Sequence, residues 1–88
     1  MKPLSNNSEL YEYMLGFEAK LRVHGSVDLA DAVEGASRQA SGLSTEFLGE
    51  SRIALRRVSI QGQSVLTEQE RRDLLDVLKQ LDAALDKR

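Results

Sequence analysis

Three short interruptions, His24-Gly25-Ser26, Ser41-Gly42-Leu43-Ser44 and Gly62-Gln63-Ser64-Val65-Leu66-Thr67, cut the chain into four stretches in which apolar residues recur with the helical period. Each interruption places a glycine before a hydroxyl residue. Glycine enters the left-handed conformation just past a helix end at little cost, and a serine or threonine oxygen then accepts from the free N–H groups of the next first turn. Links this short return each helix alongside the one before it. The expected fold is therefore all-α, a small antiparallel four-helix bundle in up-down-up-down order. It forms one domain over residues 1–88, with helices at about 7–24, 27–41, 45–61 and 68–87.

The stripes within these stretches define the expected core. In the first, Leu10, Met14, Phe17 and Leu21 alternate steps of four and three, with Asn6 and Glu9 in cap-like spacing. The second buries Leu29, Ala32, Val33, Ala36 and Ala40, leaving Asp31, Glu34 and Arg38 opposite, with Glu34 and Arg38 in the favourable i,i+4 order. Gly35 falls on that polar side and weakens the helix by about 1 kcal/mol relative to alanine. In the third, Ser44 is the expected N-cap, Leu43 and Leu48 a hydrophobic staple, and Phe47, Leu48, Ser51, Ala54, Leu55 and Val58 the core face. The fourth opens on the capping box Thr67-Glu68-Gln69-Glu70 and repeats Leu74, Leu78, Leu81 and Leu85.

Composition excludes several classes of chemistry. With no cysteine there is no disulfide, thiol nucleophile or thiolate metal ligand. The segment MKPLSNNSEL holds no apolar targeting core, and no run of about 18 apolar residues occurs, so no membrane contact and a soluble, cytoplasmic protein are expected. A net charge of -2 supplies no overall attraction to nucleic acid, so any basic surface must be local.

Reactive groups are sparse. The single histidine, His24, precedes a helix-terminal glycine, where imidazole commonly caps carbonyls. Glu46 and Glu50 stand one turn apart but have no histidine or second acidic pair to complete a metal site. No glycine-rich phosphate loop or HExxH spacing is present, so neither enzymatic activity nor a cofactor is expected. In ALRRVSIQGQ, Arg56 and Arg57 precede Ser59 at a spacing basophilic kinases accept, but a helical Ser59 is a poor kinase substrate. The two arginines suit the negative end of a helix dipole.

What remains is an excess of apolar surface. Gly49, Ile53 and Ile60 lie on the side of the third helix opposite its core residues, with Arg56 between the isoleucines; Tyr11 and Leu15 lie off the stripe of the first helix. A helix apolar on two sides is either sandwiched within the monomer or covered by another chain. The expectation is a non-catalytic protein-interaction module that contacts a protein partner, or a second copy in a homodimer, through the third helix. Its contact residues are Gly49, Ile53, Arg56, Ile60, Tyr11 and Leu15. The alternative is a small DNA- or RNA-binding regulator using Arg52, Arg56, Arg57, Arg71 and Arg72. It is disfavoured because Glu46 and Glu50 offset the arginines of the third helix and the fourth helix carries no net positive charge.

Overall fold

The computed structural model describes residues 7–38 and 44–86, and in these the chain forms four helices: α1 (Asn7–Val23), α2 (Val27–Ser37), α3 (Ser44–Gln61) and α4 (Glu68–Asp86). They pack as a small four-helix bundle, α1 on α2, α2 on α3 and α3 on α4. The α1–α4 seam is bridged by the Lys20–Glu70 ion pair at 3.4 Å. The expected stripes meet at the centre. Leu10, Met14, Phe17 and Leu21 from α1, Phe47, Ala54, Leu55 and Val58 from α3, and Leu74, Leu78 and Leu81 from α4 form one cluster with Leu29, Val33 and Ala36 of α2.

Beyond the expected residues, Leu66 of the α3–α4 link and Ser37 of α2 are buried, and two positions extend the expected stripes. Ala30, not Ala32, is fully enclosed on α2, and Val77 joins the leucines of α4. Both lie one step from a stripe residue, which a stripe drawn as a single line omits. Leu48 is only half-buried. Helix α2 ends at Ser37, with Arg38 closing a 3₁₀ turn and the Ser37 hydroxyl donating to the Glu34 carbonyl at 2.7 Å. Ala40, Leu43 and the Asn6 cap lie outside the described residues.

The breaks obey the cap chemistry unevenly. After α1, Gly25 has φ +83°, the Ser26 N–H donates to the Leu21 carbonyl at 2.9 Å, and the Gly25 N–H donates to the Arg22 carbonyl at 3.0 Å, the paired bonds of a Schellman ending. Thr67 and Glu70 form the full capping box: the Glu70 N–H donates to Thr67 Oγ1 at 3.1 Å, and the Thr67 N–H to Glu70 Oε1 at 2.8 Å. Ser26 departs from expectation, since its side chain makes no cap hydrogen bond and only its carbonyl engages α2, accepting from Ala30 at 2.9 Å. Gly62 departs too. Its φ is not left-handed; it is needed because a Cβ there would sit 2.8 Å from the Val58 carbonyl oxygen and 3.2 Å from Leu29 Cδ1. Helix α3 ends on close approach, not on a left-handed turn.

Candidate interaction face on α3

Helix α3 turns Phe47, Ser51, Ala54, Leu55 and Val58 inward, all buried. Residues half a turn away must then point outward, and Gly49, Ile53 and Ile60 occupy that position. Ile53 is 64% exposed and Ile60 75%. Among the described residues no other helix covers them, so this stripe is not sandwiched between helices of the monomer. A Cβ at Gly49 would meet nothing within 4 Å, which leaves a flat patch one turn before Ile53.

Charged side chains border the stripe. Arg56 does not await a partner's carboxylate: its Nη2 donates to Asp82 Oδ1 of α4 at 3.0 Å, and Arg52 Nη1 donates to the same oxygen at 3.2 Å. Arg57 is exposed and donates from Nε to Gln61 Oε1 at 3.2 Å. Glu46 and Glu50 are exposed in the N-terminal half of the helix. On the α2 side, Ile53 and Ala54 face Ala32, Gly35 and Ala36 across a hollow of about 260 Å³, rimmed by Asp31, Glu50 and Arg57. The small residues of α2 leave this space, and a thin, alanine-lined helix is its signal in the sequence.

Tyr11 and Leu15 belong elsewhere. They are 37% and 41% exposed and continue the α1 row of Glu18 and Arg22, the row that meets α2 where Arg22 Nη2 contacts Asp31 at 3.0 Å and Glu34 at 2.6 Å. The structure does not bring them together with the α3 stripe. Arg71 and Arg72 are likewise engaged. Arg71 Nη1 donates to the Gln63 and Leu66 carbonyls at 2.9 and 3.0 Å, tying down the α3–α4 link, and Arg72 pairs with Glu68 at 2.7 Å.

The other candidates stay local. His24 is exposed, and its backbone N–H donates to the Lys20 carbonyl at 3.1 Å. Ser59 is helical and half-buried. Among the described residues no group of three or more His, Asp or Glu side chains is arranged to hold a metal ion, and no helix is long and apolar enough to cross a membrane.

A second concavity went unforeseen: a groove of about 240 Å³ at the α1–α4 seam, lined by Glu12, Tyr13, Gly16, Phe17, Lys20, Glu70 and Asp73. Tyr13 stacks on Phe17 with ring centroids 5.6 Å apart. Burial, with the Asp73 and Glu70 carboxylates adding to it, holds the Tyr13 phenol well above its usual pKa. The Tyr13–Gly16–Lys20 spacing, one small residue in a row flanking the core stripe, was the available sign.

No family model, curated protein or solved structure matches the chain.

Proposed function

We propose that this chain is a non-catalytic protein-interaction module whose contact surface is the outward face of α3. One observation carries the reading: Ile53 and Ile60 share one face of α3, two turns apart on the side opposite the core, and both are mostly exposed, whereas the exposed Val23 and Val27 flank the α1–α2 break and Leu75 lies on α4. Leaving a large aliphatic side chain in water forgoes about 1.5–3 kcal/mol of burial each, so a face with two of them gains from being covered. The complementary surface is apolar at its centre and carries charge of both signs at its edges, matching Glu46 and Glu50 at one end and Arg56 and Arg57 at the other.

Nucleic-acid binding has less support. Asp82, shared by Arg52 and Arg56, and Glu68, paired with Arg72, offset part of the arginines' charge, and Arg71 is held on backbone carbonyls. Less cationic surface is then left to displace counterions.

The test is the double substitution Ile53→Asp with Ile60→Asp, followed by light scattering over a wide concentration range and far-ultraviolet circular dichroism. Association of the wild type with loss in the double variant, at unchanged helicity, is the expected result. A double variant that associates as the wild type does would overturn the assignment of this face.

A further inference from the structure

We infer that the groove between α1 and α4 is a second contact site, one that receives a single arginine side chain from a partner protein. It stands apart from the α3 face and does not depend on it. At about 240 Å³ the groove is smaller than the roughly 300–1,000 Å³ of most small-molecule pockets, so its size suits one long side chain.

The lining selects which side chain. The stacked rings of Tyr13 and Phe17 supply an aromatic wall, and the carboxylates of Glu12, Glu70 and Asp73 stand around it against one ammonium, that of Lys20. Lys20 is committed to Glu70 Oε2 at 3.4 Å, and Glu70 Oε1 accepts from the Thr67 N–H at 2.8 Å. The carboxylate oxygens that remain are acceptors without donors. Among the described residues Glu12 has no ion pair or side-chain hydrogen bond, and Asp73 is engaged through Oδ1, by Gln69 at 3.0 Å, which leaves Oδ2. Glu12 lies on α1 and Asp73 on α4, so these acceptors belong to opposite walls. Burial first, and then the Asp73 and Glu70 carboxylates, push the pKa of the Tyr13 phenol up, so the ring stays neutral in a negative field. A guanidinium answers all of this: its planar fork donates in several directions, its face and apolar stem lie on aromatic rings, and it sheds water more easily than an ammonium.

Gly16 keeps the space open. It stands in the middle of α1, where glycine is a poor helix former, yet a Cβ there would meet nothing within 4 Å, so no close packing requires it. A larger side chain would enter the groove that Gly16 lines.

The test is a titration of the isotope-labelled protein with acetyl-Gly-Arg-Gly-amide, read by backbone amide shifts. Saturable shifts centred on Tyr13, Gly16, Phe17 and Asp73 are expected. The citrulline counterpart, of the same shape without the charge, should bind at least about tenfold more weakly, and the lysine counterpart several-fold more weakly. Glu12→Gln with Asp73→Asn should weaken the arginine peptide at least about tenfold. Gly16→Leu, which fills the groove with a better helix former, should abolish binding at undiminished helicity by circular dichroism. Free arginine, whose own carboxylate meets the acidic rim, should bind more weakly than the capped peptide. Undiminished binding by either variant overturns the groove as the site. Equal binding by the citrulline or lysine counterpart overturns the guanidinium, and equal binding by free arginine overturns a partner chain as its source. Shifts that do not saturate, or that scatter over the acidic surface, overturn the inference as a whole.

Discussion

Ser51 puts a hydroxyl at the centre of the core, buried and with no hydrogen-bond partner for Oγ among the described residues. An unpaired buried hydroxyl costs about 1–3 kcal/mol by mutational measures, and alanine is also the better helix former. Ser51→Ala should accordingly raise stability by about 1 kcal/mol, seen as a higher urea midpoint at unchanged slope; a lower midpoint would mean that the hydroxyl is bonded. The two glycines test opposite cases. Gly35→Ala adds a methyl that meets nothing within 4 Å, so it should stabilise by a few tenths to about 1 kcal/mol. Gly62→Ala drives a methyl to 2.8 Å from the Val58 carbonyl oxygen, and about 1–3 kcal/mol should be lost. The polar placement of Gly35 was legible from its position in the helical period. The crowding at Gly62 was not, because it depends on how closely the chain turns back on the Val58 carbonyl and on Leu29, which is remote in sequence.

At the level of elements, α4 depends on its leucine stripe and its capping box. Leu81→Ala should cost about 2–5 kcal/mol in chemical denaturation, since Leu81 is buried at the middle of that stripe. The Thr67 backbone N–H, foremost, and Lys20 beside it hold the Glu70 carboxyl below its ordinary pKa. A carboxyl more acidic in the folded than in the unfolded chain stabilises the fold at neutral pH, and that contribution fades as pH falls through the ordinary carboxylate range toward the folded value. The stability gap between wild type and Glu70→Gln should therefore be widest near neutrality and close in acid; a gap independent of pH would contradict the assignment. All four helices, the stripes of α1 and α4, and the capping box were legible because each is written within one turn or one period. Ser26 looked like a cap and is not one, because the Schellman ending of α1 already fixes the chain there and α2 begins on the Ser26 carbonyl alone.

For the whole molecule, the sequence pattern showed that α3 had apolar residues on two sides, but deciding whether the second side was covered required knowing which helices neighbour it. Consecutive packing around the bundle settles that: α2 and α4 flank α3, and the Gly49–Ile53–Ile60 face is left outward. The same arrangement separates Tyr11 and Leu15 from that face and opens the α1–α4 groove as a separate surface. Backbone amide shifts recorded by nuclear magnetic resonance, as the protein is diluted from millimolar to micromolar concentration, distinguish the two surfaces directly. Concentration-dependent shifts should centre on Gly49, Ile53 and Ile60. Shifts centred instead on Tyr13, Gly16 and Glu70, or spectra unchanged on dilution, would contradict self-association through α3.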